Sequence, residues 1–560
     1  MTEPNEPNVP SGPTHHSGDA TRPIPADATT PVPQYTYPVP SGSHPVPSAT
    51  GQTDATDAAD ATGVALADEP AAPGKSGRKR TGLLVGALAT VLALGGAGVF
   101  AAQTLSGSGT QPSDVLPGDA YGYVRVDIDP SAGQKIAAVR FLGKLEAVKD
   151  TLGSDDPRKK LWEMASKNAG DDCVKKLTYD KDVAPWLGDR LGAAVRPGGT
   201  PDQPNVAIAI QVKDETVAKD ALTRLFACDK GSKTDVRMKD GYAVVTPGGT
   251  GDATLAAVEK GSLSQNANFT GDMGALGEQG IASAWFDMTT GIKELPKLDG
   301  KGSGMDAAAL ASAKGRVAAA LRFDADYVEL AGVVRGADAT KAVKGSGSEL
   351  ANLPANTMAA VHVSGADQML DSAWPQLKKQ IDGLAAAGGQ DDMIATIEQQ
   401  LDVKLPDDLK VLLGRSFTIA MPDQDFKSGT FTAGAKVVSS DAKRADEIID
   451  RLVQMSTGSS DAVTHKVQGD KVYVATTPDY ADDLKSGGKL GDTDAFKLAV
   501  GDVTSSNTAV FVDLDKLEKL YLGEVKGNDK TFLESLRAVG VNAATTGNGE
   551  GTFTLRVLGN

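Results

Sequence analysis

VLPGDAYGYVRV, residues 115–126, carries the prediction of the fold, because a similar stretch, NLPANTMAAVHV, occupies residues 352–363. Each stretch opens close to a Leu-Pro pair and continues into an apolar run typical of a strand. Four more pairs of matching segments follow in the same order and at a nearly constant offset. These pairs are 186–195 with 412–421, 217–226 with 444–453, 241–247 with 471–478, and 282–288 with 508–514. Ordered self-similarity of this kind predicts a duplicated structural unit.

Each unit has the pattern of mixed helix and strand. The short apolar run at 207–212 favours a buried strand. The Asp-Gly pair at 240–241 predicts a tight hairpin, and the turn at 324–326 predicts another. Hairpins between helices indicate an α+β architecture. We therefore expect two tandem homologous units, 115–338 and 339–560, each an antiparallel-rich sheet with packed helices.

A long uncharged segment precedes these units. Residues 81–105 contain about the 20 apolar residues that cross a hydrocarbon core, which predicts one transmembrane helix. Basic residues flank only its N-terminal side: Lys75, Arg78, Lys79 and Arg80. Because basic residues stay on the cytoplasmic side, the sequence predicts a single-pass cell-membrane protein with a cytoplasmic N-terminus and an extracellular bulk. Residues 106–114 are Gly- and Ser-rich and predict a flexible tether.

The N-terminal tail, residues 1–80, is rich in Pro, Thr, Ser, Asp and Ala and ends in the basic run. With few large apolar residues it cannot offset the entropy of ordering, so we expect disorder. Pro-Val-Pro recurs three times between residues 31 and 47. Such runs adopt an extended helix that docks on aromatic grooves, and the alternative interpretation is a solvated spacer.

Charge and small residues bear on the partners. The formal net charge is −16, which excludes the basic face that tracks phosphates, so no nucleic acid is expected. The predicted span makes the membrane a partner. Gly82 and Gly86 form a small-xxx-small pair that favours a weak homodimer, although such pairs also arise by chance in a segment this rich in Gly and Ala.

The chain has two cysteines, Cys173 and Cys228, both in the predicted extracytoplasmic part. An even pair in an oxidising compartment predicts a disulfide. A metal pair is the weaker interpretation, because no histidine lies near either cysteine in the sequence. The second unit has no cysteine at the matching positions, so the bond would belong to the first unit alone.

Residues with catalytic chemistry are few, and we assign no catalytic, cofactor-binding or metal site. Acid pairs two residues apart occur where strands end, and their positions favour helix caps and turns over calcium ligands. They are Asp127 and Asp129, Asp324 and Asp326, and Asp513 and Asp515. His362 and His465 are the histidines after the predicted span. His362 occupies the strand position that matches Arg125, and a surface strand position would explain both His362 and Arg125. The Gly-rich stretch 345–347 lacks the Lys-Ser/Thr of a phosphate loop and indicates an ordinary loop.

The Leu-Pro segment followed by YVRVDIDPSAGQKI, residues 123–136, resembles an actinobacterial membrane-anchored family catalogued as domain of unknown function 3352. The resemblance extends in outline to the tail, the span, the tether and the strand–helix unit. It implies a membrane-anchored protein and supplies no activity, cofactor or site residue.

These observations lead to one function hypothesis and two alternatives. The first is a non-catalytic protein whose duplicated extracytoplasmic region binds an envelope ligand or a protein partner, and it rests on the duplication, the tether and the absence of catalytic motifs. The second is an extracytoplasmic hydrolase that uses carboxylates or one of the two histidines. The third is an envelope signalling protein that docks a cytoplasmic partner through its Pro-rich tail.

Overall fold

The computed structural model shows how the strands of the chain pair. It describes residues 109–145, 158–159, 162–163, 166, 173–200, 204–228, 233–298, 314–338, 343–387, 392–428, 431–457 and 463–560. The predicted tail, the four basic residues before the predicted span and the Gly82–Gly86 pair lie outside these ranges.

Sixteen strands form one sheet. They are β1 Gly122–Asp127, β2 Leu187–Val195, β3 Val206–Val212, β4 Thr234–Lys239, β5 Tyr242–Pro247, β6 Ala282–Asp287, β7 Arg316–Phe323, β8 Tyr327–Arg335, β9 Thr357–Ser364, β10 Ser416–Pro422, β11 Gly434–Val438, β12 Thr464–Gln468, β13 Lys471–Ala475, β14 Thr508–Asp513, β15 Leu536–Thr545 and β16 Gly551–Gly559. From one edge to the other the order is β12-β13-β11-β10-β9-β14-β15-β16-β8-β7-β6-β1-β2-β3-β5-β4.

The pairing of β8 with β16 corrects the prediction of two tandem units. Tyr327 pairs with Leu558 and Val334 with Gly551, so a continuous antiparallel ladder joins the strands β1–β8 to the strands β9–β16. The two sets are therefore halves of one large antiparallel sheet with helices, and the prediction of two separate α+β units is wrong. We refer to the β8–β16 ladder as the seam.

Thirteen α-helices lie in the described part of the chain. They are α1 Ala132–Lys144, α2 Glu215–Ala227, α3 Gly251–Lys260, α4 Ala267–Leu276, α5 Met288–Leu298, α6 Ala366–Ala387, α7 Met393–Leu401, α8 Asp407–Leu413, α9 Ala442–Thr457, α10 Pro478–Ser486, α11 Asp494–Ala499, α12 Leu514–Tyr521 and α13 Asn528–Glu534. None of these helices is long and apolar enough to cross a membrane.

This finding corrects the predicted localisation. The single-pass membrane assignment depended on a helix at 81–105, which lies outside the described residues, and the described helices supply no substitute.

The hairpins that the sequence predicts are present. β4 and β5 pair across Asp240 and Gly241, which both have positive φ, at 50° and 80°. A two-residue turn with positive φ at both positions matches the right-handed twist of the flanking strands, which explains the Asp-Gly pair. β7 and β8 pair across the turn at 324–326, where the Asp324 carboxylate accepts from the Asp326 backbone N–H at 3.1 Å.

One face of the sheet, here called the core face, carries two large apolar cores. In the β1–β8 half, Tyr123 and Trp285 pack with Phe269 of α4. In the β9–β16 half, Phe511 packs with Phe496 of α11. Because side chains alternate along a strand, the residues between these buried ones point to the opposite face, here called the aliphatic face.

Helices cover the aliphatic face in three places. α2 packs near the β4 edge through Ala218 and Leu222, and α9 packs near the other edge through Ala445 on Val472. At one end of the seam, Phe141 of α1 packs in a cluster that includes residues of β7, β8 and β16 and the starts of α12 and β15.

Candidate functional site

The predicted disulfide is present. Cys173 and Cys228 are bonded, with their Cα atoms 5.5 Å apart. The bond fastens the turn before the helical segment at 174–183 to the C-terminal cap of α2. Cys228 is 4 % exposed, and Cys173 lies at the surface. The bond therefore stabilises one margin of the sheet and takes no part in a reactive centre.

The three acid pairs have different surroundings. Asp513 caps α12, accepting from the Lys516 backbone N–H at 3.3 Å, which fits the predicted capping role. Asp127 instead forms a buried ion pair with Arg125, and Arg190 lies 3.5 Å from its other oxygen. Burial raises the pKa of Asp127 above its ordinary value, while the two guanidinium groups oppose the rise. No group of three or more His, Cys, Asp or Glu side chains suited to a metal ion occurs among the described residues.

The two histidines lie far from a hydrolase arrangement. His465 Nδ1 is 2.6 Å from Asp446 Oδ1, and its Nε2 is 3.8 Å from Asp450 Oδ1. Both ring nitrogens therefore face carboxylates one turn apart on α9, and neither faces a hydroxyl. This arrangement anchors the edge strand β12 to α9 and gives no activated nucleophile.

His362 is buried, which corrects the predicted surface position. It is 1 % exposed, and the matching Arg125 is 8 % exposed. His362 Nδ1 is 2.8 Å from Thr418 Oγ1, a histidine–hydroxyl pair of the kind that a hydrolase needs. Thr418 is itself only 3 % exposed, however, so this hydroxyl is closed to a substrate. The hydrolase hypothesis therefore has no supporting geometry at either histidine.

The aliphatic face provides the candidate site. Across the seam, a row of aliphatic side chains runs directly opposite one another over six neighbouring strands. The members of this aliphatic row are Leu330, Leu555, Val541, Val510, Val361 and Ile419. At a strand spacing of about 4.8 Å, the row is about 24 Å long.

Four members of the row are exposed, namely Leu330, Leu555, Val361 and Ile419, and Val510 and Val541 are half-buried. Leu330 and Val361 are each 38 % exposed, and Ile419 is 52 % exposed. Their immediate chain neighbours, such as Ala360 and Ala420, are buried in the core face at 3 % and 1 %. Exposed apolar residues scattered singly are ordinary, but a contiguous row marks an interaction surface.

The row continues as a neutral surface. The residues on either side of it on the aliphatic face, two positions along each strand, carry no charge. On the seam strands these neighbours include Gly332 and Phe553 on one side, whereas Val328 and Val557 on the other side pack under α1. Gly332 is required there, because a Cβ would lie 2.2 Å from the Phe553 ring. The Phe553 ring thus occupies the space beside Gly332 and extends the apolar surface.

A family model matches part of the chain. The family model described as protein of unknown function (DUF3352) matches residues 83–268, about a third of the chain. The matched part includes strands β1–β5 and ends before β6, so it excludes the seam and the aliphatic row. This match supports the resemblance seen in the sequence and assigns no activity. No curated protein and no solved structure matches the chain.

Proposed function

We propose that the protein binds an elongated apolar ligand along the aliphatic row and acts by binding, without catalysis. The observation that supports this proposal is the exposure of Leu330, Val361 and Ile419 beside chain neighbours that are buried. A sheet gains free energy from burying both faces, at about 25 cal/mol per Å² of apolar surface. An aliphatic row left exposed therefore has free energy to gain from a ligand.

The size and chemistry of the row favour an acyl chain. One acyl layer fills about half of a hydrocarbon core about 30 Å thick, or about 15 Å. The aliphatic row, at about 24 Å, is long enough to hold one such chain along its length. The row consists of Leu, Val and Ile without hydrogen-bonding groups, which suits a saturated chain and offers no recognition for a polar one.

The first experiment is native mass spectrometry of the full chain, purified from its own host and then mixed with a long-chain fatty acid. We expect a retained adduct and displacement of it by the fatty acid. A bare mass before and after mixing would refute the proposal in favour of a protein partner on the same face.

A pair of variants tests whether the row is the site. Leu555→Asn places an amide in the middle of the row and should weaken fatty-acid binding at least about tenfold, equivalent to about 1.4 kcal/mol. Leu384→Asn on α6 is the matched control, because Leu384 is 68 % exposed and belongs to a helix and not to the row. Equal affinities for the two variants would exclude the row. The actinobacterial origin implied by the family resemblance stays a prediction, and identification of the organism that carries the gene would test it.

A further inference from the structure

A second candidate site is a polar cavity at the core face, on the side of the sheet opposite the aliphatic row. Its volume is about 360 Å³, within the range of small-ligand sites. Its walls come from the segment 343–349, His362 of β9, the start of α6, Arg415 and the β12–β13 turn at Asp470. The distant parts of the chain thus converge on one polar space.

The segment 343–349 packs closely on the loop 503–505 that precedes β14. A Cβ at Gly345 would lie 2.0 Å from the Ser505 carbonyl oxygen, and one at Gly347 would lie 2.7 Å from the Thr504 carbonyl oxygen. The Ser348 backbone N–H also donates to the Val503 carbonyl at 2.8 Å. The Gly-rich stretch that the sequence indicated as an ordinary loop therefore forms a fixed wall of the cavity.

Four charged residues line the cavity: Lys344, Arg415, Glu349 and Asp470. Glu349 pairs with Lys436 and lies 3.8 Å from Lys471, and Asp470 pairs with Arg415. Lys344, which also lines the cavity, makes no ion pair with any residue that the structure describes. Glu349 is thus compensated by two lysines outside the lining and Asp470 by Arg415, which leaves the charge of Lys344 without a partner carboxylate among the described residues.

His362 supplies a buried donor. Its Nδ1 contacts the Thr418 hydroxyl, and its Nε2 is buried without a hydrogen-bond partner among the described residues. Burial lowers the pKa of His362, while the Gly347 backbone and Glu349 partly oppose this effect, so burial favours the neutral ring. If the Thr418 hydroxyl donates to Nδ1, the proton lies on Nε2. A buried donor without an acceptor costs free energy, and an acceptor on a ligand removes that cost.

We propose that this cavity binds a small oxyanion, such as a phosphate or carboxylate group, with His362 as the buried donor and Lys344 and Arg415 as the cations. Oxyanions accept charge-assisted hydrogen bonds from such groups, which are stronger than those between neutral groups. The site is independent of the aliphatic row, because His362 and Val361 are consecutive residues that point to opposite faces.

The test is calorimetric titration of the full chain with inorganic phosphate at low salt, together with the ring-nitrogen NMR signals of His362. We expect binding and a shift of the His362 Nε2 signal. Lys344→Gln should weaken binding roughly threefold to tenfold through the loss of one charged contact. Asp470→Asn should instead tighten binding, because it releases Arg415 from its ion pair. Lys530→Gln on α13 is the matched control and should leave the affinity unchanged.

Lys344→Gln and Asp470→Asn are expected to change the affinity for phosphate in opposite directions. If these residues formed only a structural cluster, both substitutions would weaken binding alike. Binding of a phosphate monoester or a small carboxylate in place of inorganic phosphate would support the same site and identify a ligand with an organic part. The absence of heat and of a His362 shift with all three probes would overturn the proposal, as would binding that neither variant alters.

Discussion

Glu329→Gln tests the seam, the feature that unites the two halves of the sheet. Glu329 is a β8 residue that is 7 % exposed, and it accepts from Arg322 Nη1 at 3.3 Å. Across the seam it also accepts from Arg556 Nε at 2.8 Å. The Arg556 guanidinium lies over the Tyr327 ring, 4.5 Å from its centroid. One carboxylate thus pairs with two guanidinium groups, one from each half.

The substitution keeps the shape of the side chain and removes its charge. Breaking a buried ion pair by removing one partner costs about 3–5 kcal/mol, because the other charge stays buried and uncompensated. The two arginine side chains are 21 % and 22 % exposed, so water compensates part of this cost. We therefore expect a loss at the lower end, about 3 kcal/mol.

Hydrogen–deuterium exchange followed by mass spectrometry measures where that loss acts. In a sheet continuous across the seam, Glu329→Gln should lower amide protection in β16 and β15 as well as in β8 and β7. Native-state exchange reports the free energy of local opening, which makes the affected strands visible. The matched control is Glu259→Gln at an exposed position of α3, which should change nothing in either half. Loss of protection confined to β7 and β8, with β16 unchanged, would refute the seam and return the two halves to separate units.

Three further predictions follow from other features. Replacing Cys173 and Cys228 by Ser should destabilise the protein by roughly 4 kcal/mol in the chain-entropy model for a separation of 55 residues, and a lower melting temperature equal to that of the reduced wild type would support it. Gly332→Val should cost about 1–3 kcal/mol through overpacking of the phenylalanine ring that faces it on β16, measured by urea denaturation, and an unchanged midpoint would contradict the close contact. Asp408→Asn should lower the melting temperature near neutral pH but have little effect at about pH 2, because Arg444 holds the pKa of Asp408 below its ordinary value and that stabilisation disappears as the carboxylate protonates; an equal loss at both pH values would contradict this origin.

The local elements of the fold follow from the sequence. The Asp-Gly turn at 240–241 and the turn at 324–326 predict their hairpins, because positive φ and short-range hydrogen bonds act between neighbouring residues. The pair Cys173 and Cys228 likewise predicts its bond, since the chain offers no other combination. A hairpin turn is determined by a few neighbouring residues, and this disulfide is determined by a single pair of cysteines.

The seam and both candidate sites depend on information that the sequence spreads over long distances. The pairing of Leu330 with Leu555 follows from no local sequence pattern, because the sequence of β8 is equally compatible with an edge strand and with a central strand. His362 and Val361 show the same difficulty. Alternation predicts that Val361 is buried and His362 exposed, whereas the structure has the reverse, because the polar side chain belongs to the face that the helices and the segment 343–349 cover.

The position of the seam also sets the order in which the sheet can be completed. β8 lies at the boundary of the first half, and its partner follows much later: Arg556 comes 227 residues after Glu329. At a synthesis rate of about 5–20 residues per second, roughly ten to fifty seconds pass between the synthesis of β8 and the synthesis of β16. An unpaired strand in that interval is a template for pairing with another chain. Glu329, an inward-pointing charge on this strand, makes such mispairing costly until Arg556 arrives, so the ion pair that stabilises the finished sheet also protects the nascent one.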